Sequence, residues 1–220
     1  SCPVLPCLLA LSCLVVSCRV LSCPVLSCLE SDGPVLSCHS RLTGPTVHHH
    51  PGTTEVPLVI GISKQGIRIV QCPFEGVATG AADGYGRMKG KPAATLLHLG
   101  PGLANGWANL HNAKKAKTPL VNIVGEHATW HSPLGSPLIS DLEGLSGSIS
   151  DWTKISGASA DVGADLAQAF QAAIGKGGQI ATLILPAETT WEKGGVAAEP
   201  LPPQRINQIS DREIEKAAKI

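Results

Sequence analysis

A chain of 220 residues with 43% hydrophobic side chains can bury the core of one large domain, and with only 3% aromatics that core must be Ala, Val, Leu and Ile, as in α/β proteins. Lys plus Arg and Asp plus Glu number 17 each, so no overall field draws the chain to nucleic acid or to an anionic membrane. A nucleic-acid partner therefore has no electrostatic support.

Residues 1–46 form a head unlike the rest. Seven of the eight cysteines lie there, at Cys2, Cys7, Cys13, Cys18, Cys23, Cys28 and Cys38, several in Val-Leu-Ser-Cys units about five residues apart. Zinc sites bring ligands as close pairs, which this ladder does not. A five-residue step turns a helical position by about 140° and alternates faces in a strand, so neither structure gathers the thiols on one side. Residues 1–28 carry a single charge, Arg19, but have no basic leader region and are interrupted by Pro3, Pro6 and Pro24, which argues against a signal or spanning segment. The expectation is a low-complexity head, disordered or loosely packed or arising from a misassigned gene start, and a cytoplasmic location. His48-His49-His50 does not make a metal site, because three consecutive residues converge poorly on one ion.

From 47 to 195 short apolar runs alternate with helical patterns, the signature of βαβ units. Residues 66–70 read as a strand and 75–89 as a helix with Val77, Ala81, Tyr85 and Met88 on one face. Residues 93–99 are a second strand ending in a Gly100-Pro101-Gly102 turn, 103–116 a helix, and 119–124 a third strand. A loop-rich stretch spans 125–150. Asp161 is placed to cap a helix with Val162, Leu166, Phe170 and Ile174 on its apolar face, closed by Gly177-Gly178, and 180–186 is a buried strand. Continuous apolar strands between helices imply a parallel sheet with helices on both faces. Residues 196–220 read as a linker with Pro200, Pro202 and Pro203, then a capping box at Ser210-Asp211-Arg212-Glu213 opening another helix, taken as the truncated start of a further domain.

The chemistry concentrates around Glu75. Eight residues after it comes Asp83-Gly84-Tyr85, then Arg87, a strand, and Gly100-Pro101-Gly102 with Asn105. The helix from Glu75 carries Gly76, Gly80, Gly84 and Gly86 although each interior Gly costs about 1 kcal/mol relative to Ala, which implies close approach by a backbone or a ring. Gly100-x-Gly102-x-x-x-Gly106 departs from a dinucleotide fingerprint: its third Gly is one position late and Asn105 stands in its place.

This ordered set resembles the pyrimidine-binding domain of the thiamine-diphosphate enzymes in the acetolactate synthase, pyruvate decarboxylase and benzoylformate decarboxylase group, over about residues 51–195. The resemblance implies that Glu75 hydrogen-bonds N1′ of the cofactor's aminopyrimidine, a task suited to a carboxyl shielded from water. It implies that Gly100, Pro101, Gly102 and Asn105 border the cofactor and that Asp83 and Arg87 stabilise the helix. His127 and His131, after the third strand, either face a 2-oxo acid substrate, as loop histidines of related decarboxylases do, or are surface residues; both readings stay open. His98 and His111 read as buried polar or surface residues, and 140–154 as scaffold or dimer contact. Pro51-Gly52-Thr53-Thr54-Glu55 resembles the turn after the family's first strand, with that strand replaced by the head.

The Gly-Asp-Gly and Asn-Asn that hold magnesium and diphosphate in the family are not found in the sequence, and no metal ligand is assigned. The expectation is a fragment: the pyrimidine-binding domain of an acetolactate synthase-like enzyme, inactive alone, forming homo-oligomers or pairing with a diphosphate-binding domain. The alternatives are a non-catalytic dimerisation protein and, third, a membrane-anchored form using residues 1–28.

Overall fold

The computed structural model describes residues 14–17, 46–49, 52–65, 67–204 and 209–219. Among the described residues seven strands form one sheet. β2 (Thr46–His49), β3 (Arg68–Gln71), β4 (Ala93–His98), β5 (Leu120–Glu126), β6 (Trp152–Ile155) and β7 (Ile180–Pro186) run parallel in the order β3-β2-β4-β5-β7-β6. β1 (Leu14–Ser17) pairs antiparallel with β4. The crossovers are α1 (Val56–Lys64), α2 (Glu75–Lys89), α3 (Leu99–Lys115), α4 (Leu142–Ile149) and α5 (Val162–Ile174), followed by the short α6 (Ala187–Trp191) and by α7 (Asp211–Ala217).

Strand alternation sends side chains to two cores. On one face Leu96, Ile123 and Leu183 pack against Leu58 and Ile62 of α1 and Val162, Leu166, Ala169 and Ala173 of α5. On the other, Leu97, Val124 and Ile184 meet Ala78 and Ala82 of α2, Leu103 and Leu110 of α3 and Leu142 of α4. At roughly 1.5–3 kcal/mol for each fully buried Leu or Ile, the central strands carry most of the cohesion. A polar row crosses the second core. Thr95 Oγ1 donates to Asn122 Oδ1 (2.7 Å), Asn122 Nδ2 donates to Thr182 Oγ1 (3.2 Å), and Thr182 shares a 2.6 Å bond with Ser150. Because Thr95, Asn122 and Thr182 are register partners, any slip of β4, β5 or β7 would leave these buried groups unpaired.

Several details differ from the sequence reading. The first strand of the repeat is not replaced: Thr46–His49 occupies the slot between β3 and β4. Apart from β1 and Thr46, the head lies outside the described residues. On α2, Val77 and Met88 are 48% and 86% exposed, whereas Ala78, Thr79, Ala82 and Gly86 are buried. The helix seats its small residues because the sheet and α3 approach too closely for larger ones; a methyl on Gly86 would overlap Thr118 Cγ2. Gly100-Pro101-Gly102 is the first turn of α3 rather than a separate turn, where the missing Pro N–H needs no partner. The stretch 125–150 holds a 3-10 turn (Ser132–Leu134) and α4, whose N-cap Asp141 accepts the Gly144 amide at 2.8 Å. Asp161 makes no side-chain cap. The capping box at Ser210 and Glu213 is formed. Asp83 holds Arg87 through two bonds (2.8 and 2.6 Å) and accepts Thr118 Oγ1 at 2.6 Å, tying α2 to the segment before β5.

Candidate functional site

α1 and α3 leave the neighbouring strands β2 and β4 on opposite faces of the sheet. Such a switch in direction opens a crevice outside the carboxyl ends of the strands, where ligands of open α/β sheets collect. Four ionisable side chains reach it from four strand ends: Glu55 after β2, Glu75 after β3, His98 at the end of β4 and Glu126 at the end of β5.

Glu75 is the first residue of α2 and only 4% exposed. Its Oε2 accepts Asn105 Nδ2 from α3 at 3.1 Å. A Cβ on Gly102 would stand 3.3 Å from Glu75 Oε1 and 3.5 Å from His98 Cβ, so the bare Gly102 leaves room beside the carboxylate. The first two turns of α3 thus face Glu75 through Gly102 and Asn105, with Pro101 exposed. Gly100 packs on Ser140 instead, from the loop before α4. A buried carboxylate beside a glycine gap and an amide donor fits the edge of an aminopyrimidine ring, which presents nitrogen acceptors and donors.

Glu55 and His98 were not read as site residues in the sequence. Glu55 is fully buried and accepts the Gly52 amide (2.8 Å), Thr54 Oγ1 (2.5 Å) and His98 Nδ1 (2.9 Å). Two glycines make the slot: a methyl on Gly52 would overlap the His98 ring, and one on Gly125 would overlap the Glu55 carboxylate. Burial opposes charge on His98, but the hydrogen bond and charge of Glu55, with Glu75 and Glu126 further off, outweigh it and raise the imidazole above its ordinary value. Burial raises Glu126 in turn, against the His127 amide bonded to it at 2.6 Å. The backbone at the first residue of α3 is strained: Leu99, 1% exposed, has φ +52°. The sequence signal for this pair is slight, a lone acidic residue after Pro51-Gly52 whose partner lies 43 positions away.

His127 and His131 stand in the loop after β5, their rings 5.5 Å apart edge to face. His127 Nε2 is enclosed with no hydrogen-bond partner among the described residues, and His131 is exposed. The 98 and 127 histidines share the carboxyl edge. His111 does not: it lies on α3, its ring against Trp107. Among the described residues no group of three or more His, Cys, Asp or Glu is arranged to hold a metal ion, and no helix is long and apolar enough to cross a membrane.

Residues 45–146 match the family profile described as "Thiamine pyrophosphate enzyme, N-terminal TPP binding domain". The chain is 53% identical over 156 residues to a candidate acetolactate synthase large subunit, IlvX, of Mycobacterium tuberculosis, a match covering 70% of this chain and 30% of that protein. It is 34% identical over 90 residues to 2-hydroxyacyl-CoA lyase 2 of Danio rerio, covering 41% of this chain and 14% of that one. Among solved structures, a candidate thiamin diphosphate-dependent enzyme from Mycobacterium smegmatis matches with a TM-score of 0.62 at 25% identity, over 71% of this chain and 30% of that chain. The fold also matches a thiamine diphosphate-dependent 4-hydroxybenzoylformate decarboxylase of Rhodococcus jostii, with a TM-score of 0.64 at 22% identity, over 77% and 33%. The chain therefore spans under a third of the IlvX relative's length. The fold, the placement of Glu75 at the switch-point crevice and these matches make the chain a member of the thiamine-diphosphate enzyme family, carrying its N-terminal cofactor-binding domain in an acetolactate synthase-like form.

Proposed function

We propose that this chain supplies the pyrimidine half of the active site of an enzyme that decarboxylates or ligates 2-oxo acids, and that it is inactive without a diphosphate-binding domain. The observation that carries the reading is Glu75: a buried carboxylate at the switch-point crevice, with the Gly102 gap beside it. Glu75 would share a proton with the aminopyrimidine ring, and Asn105 holds its second oxygen in place. When bound, the cofactor supplies the electron sink for cleavage next to a carbonyl. His98, whose proton is held more firmly beside Glu55, can exchange a proton with a group entering the crevice, and His127 or His131 can hold a substrate carboxylate. Magnesium and the diphosphate would be held by a second domain, in the same polypeptide or in a partner. A homo-oligomer and a cytoplasmic location belong to the same reading. A 2-hydroxyacyl-CoA substrate is the second reading, favoured by the 34% identity to the lyase over 90 residues.

Calorimetric titration of the 220-residue chain with magnesium and thiamine diphosphate tests the division of labour. Weak binding is expected alone, and tight binding with turnover of a 2-oxo acid once the diphosphate domain of an acetolactate synthase-like relative is added. Glu75→Gln should then abolish turnover while leaving complex formation intact. Tight binding by the chain alone would overturn the proposal, as would full activity of the Gln variant. A complex without turnover of any 2-oxo acid or 2-hydroxyacyl-CoA would favour a dimerisation protein instead.

A further inference from the structure

The loop bearing His127 and His131 has almost no hydrophobic anchor. Of residues 127–131 only Ala128 is buried. Residues 128–132 form a single helical turn, with the amides of His131 and Ser132 both donating to the Ala128 carbonyl at 2.8 and 3.1 Å. The turn brings His131 back toward His127, their ring centroids 5.5 Å apart. The residues between them contact α6 instead. Glu188, in the first turn of α6 and 8% exposed, accepts the Thr129 amide at 3.1 and 3.3 Å through its two oxygens and the Thr129 hydroxyl at 2.6 Å. Trp191, at the end of α6, lies 6.4 Å from the ring of Trp130.

We propose that Glu188 is the positioning residue of the His127–His131 pair, with α6 as a clasp that fixes the turn at the carboxyl edge of β5 and β7. α6 has little need of Glu188 for its own anchorage. It follows β7 without a break, and its buried Thr189 and Thr190 hydroxyls bond the carbonyls of Pro186 and Ala187. The turn, in contrast, depends on it, because one buried methyl holds a loop less firmly than hydrogen bonds to a carboxylate. Glu188 lies 59 positions from Thr129 in the chain, yet β5 and β7 are paired neighbours whose register ends at Glu126 and Pro186, so the clasp is set by the sheet.

That the histidines serve a substrate rests on the function proposed above; the clasp itself concerns the free chain and is tested on it. Backbone amide exchange and the histidine ring-proton signals of the full chain would be compared with those of Glu188→Ala and Thr129→Val. Thr129 is exposed, so the second variant guards against a folding defect in the first. In both, exchange at 127–132 should accelerate about tenfold or more while β4, β5 and β7 keep their protection. The separate His127 and His131 signals should move to the positions of a free imidazole, and those of His98 and His111 should stay. Glu188→Gln, which keeps an acceptor oxygen, should restore part of the protection. Unchanged exchange and signals at the turn would overturn the proposal. So would acceleration spread evenly over the sheet, which would make Glu188 a residue of general stability. Failure of the clasp would leave the cofactor titration untouched, and failure of that titration would leave the clasp standing.

Discussion

Glu55→Gln removes one charge from the most enclosed carboxylate of the crevice while nearly keeping its shape. In the parent that carboxylate accepts three hydrogen bonds, from Gly52, Thr54 and His98. Bonds to a charged group contribute roughly 1.5–3 kcal/mol each and neutral ones roughly 0.5–1.5; the amide keeps one acceptor oxygen, so the Gly52 and His98 bonds weaken while the Thr54 bond to the other oxygen must reverse, at a cost of about 3 kcal/mol in all. The loss should depend on pH, and its sign follows from His98. The folded-state value of His98 is raised, so its stabilisation is complete below the ordinary value near 6.5 and is lost as pH rises through the folded value. Without the Glu55 charge, burial dominates and that stabilisation disappears. The gap between parent and variant should therefore be largest below pH ~6.5 and narrow on the alkaline side. Urea unfolding followed by tryptophan fluorescence at acid and alkaline pH measures it. Gly125→Ala, whose methyl would overlap the Glu55 carboxylate, should give the same pH signature without changing either partner. A gap below about 1 kcal/mol, or one equal at both pH values, would refute the coupling of Glu55 to His98.

Two glycines of α2 should respond oppositely to alanine. Gly84 is exposed with open space where a Cβ would go, so Gly84→Ala should stabilise by about 0.5–1 kcal/mol. Gly86→Ala should destabilise by roughly 1–3 kcal/mol through its overlap with Thr118, and equal shifts of melting temperature would contradict the packing described. Asn122→Leu leaves the Thr95 hydroxyl without its buried acceptor and should cost about 1–3 kcal/mol in urea unfolding, relieved in part by Thr95→Val in the double variant.

The parallel sheet was legible because its central strands are mostly apolar runs, buried on both faces from Ile180 to Pro186 and from Leu120 to Gly125, with Asn122 and Thr182 the polar interruptions. The position of Glu75, between a strand and a helix, was legible because a strand, a carboxylate and a glycine-bearing helix follow one another within a few residues. The face of α2 was not. Helical periodicity points to Val77 and Met88 as core residues, but the space beside the sheet admits only Ala, Gly and Thr, and volume prevails over hydrophobicity there. β2 was hidden because His48-His49-His50 does not look apolar, yet its pairing with β3 and β4 is made by backbone groups that do not depend on side-chain type. Glu126 and Glu188 at strand ends gave no pattern either, since each meets its partner only after the strands are aligned.

Glycine is the sequence trace of these long-range contacts. Gly52 is bare because the His98 ring occupies its Cβ space, Gly125 because the Glu55 carboxylate does, and Gly102 stands beside Glu75 and His98 together. None of the three has a positive φ that would itself require glycine. Each therefore marks a polar side chain arriving from another strand, and the three positions bound one crevice. A glycine at a strand end without a turn to explain it can be read as the imprint of a site residue elsewhere in the chain. Here that reading leads from Gly125 to Glu55, from Gly52 to His98, and through Gly102 from His98 to Glu75, joining the three strand ends on which the proposed chemistry depends.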